Sequence, residues 1–155
     1  MLKDEHIQLN QAILSSVKPV DEELIRFLSQ NFQLFIELDH HTPLPIENLY
    51  ETPETLGKDR IAAAVGANEL FPGQNILIID AGTAITYDVV SEKNEFLGGN
   101  ISPGLQMRFK ALNQFTGKLP LINYSNEFQL IGRNTEEAIR AGVQNGILYE
   151  IEQTI

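Results

Sequence analysis

Two short segments of this 155-residue chain carry side chains suited to phosphate and carboxylate chemistry. The first runs from Asp80 to Thr83, directly after an apolar run that predicts a buried strand. Gly82 lacks a Cβ, so the backbone there can turn tightly and approach a ligand, and the amides of such a turn can bind phosphate oxygens. Asp80 is suited to hold a cation or a water molecule beside them. Alone, these residues are more typical of a plain turn between two strands.

The second segment, Gly57–Arg60, places a carboxylate beside a guanidinium. Phosphoryl transfer depends mostly on positioning and electrostatics, so Asp59 is suited to orient an attacking hydroxyl and take its proton. Arg60 is suited to bind a carboxylate through two parallel hydrogen bonds. The plainer interpretation of the pair is a solvated carboxylate and guanidinium in the first turn of a helix.

The elements that must position these residues follow from the hydrophobic periodicity of the chain. The first forty residues predict a β-α-β unit. Its strands run from Ala12 to Lys18 and from Phe32 to Asp39, and its helix is capped by Asp21 and has an apolar side that includes Leu24 and Phe27. An irregular segment with three prolines follows, and then an alanine-rich helix.

The second half of the chain predicts three strands joined by short connections, which is typical of an antiparallel meander. A helix follows these strands, with Pro103 near its start and Gly117 after its end. A long closing helix begins at Asn134 or Thr135, and either residue is suited to cap it.

Composition restricts the class of protein. Apolar residues make up 43% of the chain, which is typical of a globular protein with a buried core. The net charge of −10 and the lack of a basic run argue against nucleic acid or an anionic membrane surface as a partner. There is no cysteine, so disulfides, thiolate zinc sites and a cysteine nucleophile are excluded. Without a signal-peptide pattern or a long apolar run, we expect a cytoplasmic protein with no membrane span.

The motifs come in an order that resembles a known family. A hairpin with Asp-Ala-Gly-Thr at its bend, followed by GGNISPG and a helix, resembles the phosphate-binding half of the superfamily of actin, sugar kinases and heat-shock chaperones. In that superfamily two lobes clamp a nucleotide. With LGKDR before this hairpin and LNQFTGKLP and GRNT after it, the chain resembles the type III pantothenate kinases, bacterial enzymes of coenzyme A biosynthesis, from about Ala12 to its end.

The resemblance implies an α/β fold of the ribonuclease H-like (actin-like ATPase) class with two lobes, the first of them incomplete. Residues 1–50 would be the remainder of the first lobe, and residues 51–155 the second. It also implies ATP-dependent phosphorylation of pantothenate to 4'-phosphopantothenate by a homodimer. The cofactors would be Mg²⁺, which accompanies ATP, and a monovalent cation, K⁺ or NH₄⁺.

The same resemblance assigns roles to single residues. Asp59 matches the general base, and Asp80 matches the residue that binds the monovalent cation. ATP binding falls to Gly82 and Thr83. Asp88 receives no role, and its side chain is expected to face either the nucleotide cleft or solvent. Substrate binding is assigned to six residues: Tyr50, Gly57, Lys58, Asp59, Arg60 and Thr135.

One part of the family pattern is absent from this sequence. The family's first lobe carries an Asp-x-Gly-Asn-Thr loop and a nearby lysine that handle the ATP phosphates, and the loop motif does not occur here. The family's last, glycine-rich segment is not matched either. Electrostatic stabilisation of the transferring phosphoryl group is usually the largest catalytic effect. We therefore expect this chain alone to have little or no kinase activity, and the whole protein to be active.

Two alternatives remain open. The segment LDHH, from Leu38 to His41, is similar to the Asp-His-His motif of metal-dependent phosphoesterases, in which Asp and His bind manganese. Those enzymes also need an upstream Asp-x-Asp motif, and none precedes Leu38, so His40 and His41 are otherwise exposed residues after a strand. A non-catalytic binding or accessory protein of the same fold is the other alternative. The intact Gly-x-Asp-Arg motif favours the enzyme, because a scaffold needs no base beside an arginine.

Overall fold

The computed structural model describes residues 8–16 and 18–155. The first unit comprises strand β1 (Gln11–Leu14), helix α1 (Glu22–Asn31) and strand β2 (Leu34–Glu37). β1 and β2 pair in parallel, with Gln11 beside Leu34. Parallel neighbours need a crossover connection, which α1 supplies, and the predicted β-α-β order is confirmed.

The details of this unit differ from the prediction at the strand ends and at the helix surface. β1 ends at Leu14 rather than continuing towards Lys18, and residue 17 lies outside the described residues. Asp21 caps α1 as predicted, because its side chain accepts a hydrogen bond from the amide of Glu23. The predicted apolar side of α1 is present, yet Phe27 is 56% exposed. This unit therefore adds little to the core of the described structure.

The main sheet has four strands: β3 (Glu47–Asn48), β4 (Ile76–Ala81), β5 (Ala84–Val90) and β6 (Glu95–Pro103). Their spatial order is β3-β6-β5-β4. β4, β5 and β6 pair antiparallel with their neighbours, which confirms the predicted meander. β3 pairs in parallel with β6, so this sheet begins at residue 47, shortly before the predicted lobe boundary at residue 50.

Three helices complete the fold: α2 (Lys58–Leu70), α3 (Leu105–Thr116) and α4 (Thr135–Thr154). Gly117 ends α3 in the left-handed conformation, with φ of 68°. Pro103 lies near the start of α3 as predicted, just before the cap residue Gly104, but it belongs to β6, where it is the last residue and pairs with Ala84. Proline has no N–H to donate and is tolerated at a strand end.

The helices cover opposite faces of the main sheet. On one face α2 packs against β4, β5 and β6 through a core that includes Ile61, Ala64, Val90 and Phe96. On the other face α3 and α4 pack together around a second cluster. Its buried members are Phe109, Ile122, Ile139 and Val143.

Within residues 8–16 and 18–155, no helix combines the length and the apolar character that crossing a membrane requires.

Candidate functional site

A buried ion pair joins the N-terminal turn of α2 to the centre of β5. Arg60 is 6% exposed and Asp88 is 1% exposed. The Arg60 Nε donates to both carboxylate oxygens of Asp88, at 3.0 and 3.1 Å, and Nη2 donates to Oδ1 at 2.5 Å. The Asp88 carboxylate raises the pKa of the Arg60 guanidinium above its ordinary value, while burial acts in the opposite direction. Arg60 is therefore a buried, positively charged residue that Asp88 holds between the first turn of α2 and the sheet.

This pair corrects two expectations. Asp88 was expected to face a cleft or solvent, but its side chain points into the interface between the sheet and α2 and is bound to Arg60. The solvated interpretation of Arg60 is wrong as well, because its guanidinium is buried. Asp88 is thus the buried partner of Arg60 that sequence reasoning missed. The only local signal for a buried partner was that Asp88 lies in a strand rich in β-branched residues. An unpaired carboxylate is costly to bury in such a strand, so a buried Asp88 needs a cation beside it.

Aromatic rings and glycines form the walls around the Arg60 guanidinium. Its carbon lies 5.5 Å from the centre of the Tyr50 ring and 6.0 Å from that of Phe96, within reach of cation–π attraction. Gly98 has φ of +102°, and a Cβ at that position would lie 3.3 Å from the Tyr50 ring. Gly99 approaches β5 so closely that a Cβ would lie 2.6 Å from the Asp88 Oδ1.

The strand register places Asp80 on the same face of the sheet as this pair. Asp88 is paired with Ile78 on β4, and Asp80, two residues further along β4, is paired with Thr86. Residues two apart on a strand face the same side and lie about 7 Å apart. Asp80 is exposed. The end of the sheet at the turn between β4 and β5 therefore presents an exposed carboxylate on the face that α2 covers.

Asp59 lies at the positive end of α2. It is exposed, and its Oδ1 accepts a hydrogen bond of 2.9 Å from the amide of Arg60. Gly57 precedes the helix, and a Cβ at Gly57 would overlap the Asp59 carboxylate. Lys58 is the first residue of α2 and is half-buried. The structure therefore brings Gly57–Arg60 and Tyr50 together, with the exposed Asp59 carboxylate next in sequence to a buried guanidinium.

The turn between β4 and β5 meets the start of α3. The Gly82 amide donates to the carbonyl of Ala84, and the Gly104 amide donates to the carbonyl of Thr83, both at 2.9 Å. A Cβ on Gly104 would overlap this turn, since the carbonyl carbon of Thr83 would lie only 2.8 Å away. Gly104 therefore allows α3 to begin directly against the turn.

A cleft of about 480 Å³ opens beside this turn. Gly82 and Thr83 form one end of it, and α3 supplies the remaining wall, including Lys110. The Thr83 hydroxyl makes no hydrogen bond to the described residues. The cleft therefore offers a glycine turn, a free hydroxyl and a cation on one surface.

Thr135 is not part of the Arg60 cluster. It is the first residue of α4, and the helix cap is Asn134, whose side chain accepts from the amide of Glu137 at 2.9 Å. The Glu137 carboxylate accepts in turn from the amide of Arg133, one residue before the N-cap amide that a capping box uses. α4 packs on the sheet face opposite α2, so within one chain Thr135 is placed away from the other predicted substrate contacts.

A second polar network ties α4 to the sheet. Arg108 Nη2 donates to Ser102 Oγ at 2.7 Å and to Glu150 Oε2 at 2.5 Å. The hydroxyl of Tyr87 donates to the same Glu150 oxygen at 3.4 Å. Arg108 holds the pKa of Glu150 below its ordinary value. Burial, and then the charge of Glu150, raise the pKa of Tyr87.

The segment with His40 and His41, which follows β2, forms a turn that the Asp39 side chain stabilises. The Asp39 side chain accepts hydrogen bonds from the amides of His41 and Thr42, at 2.9 and 2.8 Å. The Thr42 hydroxyl donates to the same carboxylate at 3.0 Å, and this bond, followed by that from the His41 amide, lowers the pKa of Asp39. Nowhere in the described part of the chain do three histidine or acidic side chains come close enough together to hold a metal ion. The phosphoesterase alternative therefore gains no support from the geometry.

The comparisons with known proteins agree with the motif order. The family model described as type III pantothenate kinase matches residues 1–155. A type III pantothenate kinase of Bacteroides fragilis is 53% identical over 143 residues, covering 92% of this chain and 59% of the relative. The corresponding protein of Cytophaga hutchinsonii is 56% identical over 115 residues, covering 74% and 49%. The chain thus spans about three fifths or less of the length of these curated relatives.

A solved structure shares the fold. It is described as a conserved Baf family transcriptional activator from Campylobacter jejuni, and it matches with a TM-score of 0.64 at 23% identity. The match covers 99% of this chain and 68% of that one. The family model and the relatives near 50% identity show the family more directly, and the chain belongs to the type III pantothenate kinases.

Proposed function

We propose that the whole protein phosphorylates the primary hydroxyl of pantothenate with ATP, giving 4'-phosphopantothenate in the first step of coenzyme A biosynthesis. One observation carries the proposal: the Gly57–Arg60 segment begins α2 on the same sheet face as Asp80. The buried Arg60 guanidinium and the exposed carboxylates of Asp59 and Asp80 are thereby placed on one side of the sheet. Phosphoryl transfer needs little more from a protein than such positioning and charge.

In this proposal Asp59 is the general base. The pantothenate hydroxyl oxygen attacks the γ-phosphorus of ATP, the bond from that phosphorus to the β,γ-bridging oxygen breaks, and ADP leaves. The hydroxyl proton passes to the Asp59 carboxylate, which is exposed and held at the helix start by the Arg60 amide. Arg60 binds the pantothenate carboxylate. The remaining proposed substrate contacts are Tyr50, Gly57, Lys58 and Thr135.

ATP binding is proposed for the turn formed by Gly82 and Thr83, at the end of the cleft beside α3. Mg²⁺ accompanies the nucleotide and neutralises phosphate charge. A monovalent cation, K⁺ or NH₄⁺, is proposed beside Asp80. The residue types fit a hard cation, because the exposed Asp80 supplies carboxylate oxygens and its cross-strand neighbour in the register, Thr86, carries a hydroxyl.

The finer assignments follow from the family. We propose the ribonuclease H-like (actin-like ATPase) fold, with residues 1–50 as the remainder of the first lobe and residues 51–155 as the second. The whole protein is proposed to be a cytoplasmic homodimer. In a dimer Thr135 need not reach the site of its own chain, since the partner subunit offers a second one.

The test is the formation of phosphopantothenate by the whole protein, measured by mass spectrometry with ATP, Mg²⁺, K⁺ and pantothenate. The expected result is a product that requires both ATP and pantothenate. The 155-residue chain alone is expected to give little or none under the same conditions. Absence of product from folded whole protein would contradict the proposal.

A further inference from the structure

Asp88 is a buried charge to which the proposed mechanism gives no task. It is 1% exposed, and among the described residues its side chain bonds only to Arg60. Burying two charges costs several kcal/mol per ion by order of magnitude, about as much as their attraction returns. Apolar residues of similar size would commonly serve stability equally well. The pair therefore points to a requirement on the position of Arg60.

The bonds to Asp88 occupy one edge of the guanidinium. All three come from Nε and Nη2. Nη1 takes no part in these three bonds. The Tyr50 side chain also raises the pKa of the guanidinium through a hydrogen bond, after the larger effect of Asp88. The Nε edge of Arg60 is therefore occupied by Asp88, while its Nη1 end is not bound by Asp88.

Neighbouring rings and backbone limit the room in which the Arg60 guanidinium can turn. Tyr50 and Phe96 lie against it, and Gly98 and Gly99 let the backbone of β6 come close to Tyr50 and to Asp88. A donor that is already held in place loses less conformational freedom when it binds a ligand. The arrangement therefore fits a preorganised Arg60 guanidinium that binds a carboxylate.

We propose that Asp88 is a positioning residue for substrate binding: it holds the Nε edge of Arg60 so that the Nη1 end faces the pantothenate carboxylate. This inference rests on the proposed function. It further specifies that the substrate carboxylate meets the guanidinium end-on, while Asp88 stays bound throughout turnover.

The first test uses steady-state kinetics of the whole protein and an Asp88→Asn variant, which keeps the shape of the side chain and one acceptor oxygen. The KM for pantothenate is expected to rise by about 10-fold to 100-fold, with the KM for ATP unchanged. Tyr87→Phe is the matched control, because Tyr87 is equally buried on the same strand but faces α4. Its two KM values are expected to stay at the wild-type level.

The outcomes separate the two proposals. If the wild-type protein forms no phosphopantothenate, the proposed function fails whatever Asp88 does. If the wild type is active and a folded Asp88→Asn variant keeps the wild-type KM for pantothenate, the positioning role is overturned. A general loss of activity that raises both KM values would also overturn it, because a merely structural defect has that effect.

A second measurement needs no folded Asp88 variant. The Arg60 Nε–H group of the ¹⁵N-labelled whole protein is followed by NMR, and the resonance is identified by its loss in Arg60→Lys. Slow exchange of this hydrogen with solvent is expected, and it is expected to stay slow at saturating pantothenate. If pantothenate makes the exchange fast, Arg60 leaves Asp88 to bind the substrate and the inference is wrong.

Discussion

The close approach of β6 to β5 at Gly99 yields a sharp stability prediction. In Gly99→Ala the added Cβ would overlap the Tyr87 carbonyl and lie 2.8 Å from the Cα of Asp88. These are backbone atoms of a central strand, so neither can move aside without disturbing the sheet. Overpacking of this kind costs about 1–3 kcal/mol, and the rigid neighbours place Gly99→Ala near about 2–3 kcal/mol.

The matched control is Gly66→Ala. Gly66 lies within α2, and a Cβ there would meet no heavy atom within 4 Å. Alanine is the better helix former by about 1 kcal/mol, so this variant is expected to be at least as stable as the wild type. The same methyl group is thus expected to have opposite effects at two glycines of one domain.

The assay is urea unfolding followed by far-ultraviolet circular dichroism, because the chain has no tryptophan to report by fluorescence. In thermal melts, about 2–3 kcal/mol corresponds to a fall in Tm of about 4–12 °C for a chain of this size. A Gly99→Ala variant as stable as Gly66→Ala would refute the contact between β6 and Asp88.

Three further predictions concern α4 and the cation site. Asn134→Ala removes the α4 cap and is expected to lower the free energy of unfolding by about 1 kcal/mol in urea. Thr135→Ala, which removes no observed hydrogen bond, is expected to be nearly neutral. Because the folded pKa of Glu150 lies below its ordinary value of 4.5, its pairing stabilises the protein above that pH and is lost as pH falls through the folded pKa. The loss is about 0.2–1 kcal/mol for this partly exposed pair. In melts between about pH 6 and about pH 3, Glu150→Gln should lack this contribution to the fall in stability. Asp80→Asn in the whole protein is expected to abolish the rise of kinase rate with K⁺ at constant ionic strength, and an unchanged K⁺ response would remove Asp80 from the cation site.

Local patterns were sufficient to predict most elements of the fold. The β-α-β order, the meander and the end of α3 at Gly117 each depend on residues close together in sequence. β3 was not predicted, because a strand of two residues has no periodicity and exists only through its pairing with β6. Pro103 was predicted near the start of α3, and its place at the end of β6 depends on pairing with Ala84 across the sheet, which local sequence does not show.

The candidate site was predictable only in part. Motif order identified the Gly57–Arg60 segment, but the partner of Arg60 lies 28 residues away on another element. β5 is covered by helices on both sides, so alternation along it did not reveal which face Asp88 takes. For the α4 cap, the choice between Asn134 and Thr135 depended on which side chain reaches the Glu137 amide.

The most direct test of the proposed mechanism is the kcat of Asp59→Asn in the whole protein, with Asp21→Asn as the matched control. Asp21 caps α1, and asparagine caps a helix equally well, so the control is expected to keep wild-type kinetics. Removing the base is expected to lower kcat for pantothenate phosphorylation by about 10²-fold to 10⁴-fold while pantothenate still binds. A folded Asp59→Asn variant with wild-type kcat would contradict the assignment of the reaction to the start of α2.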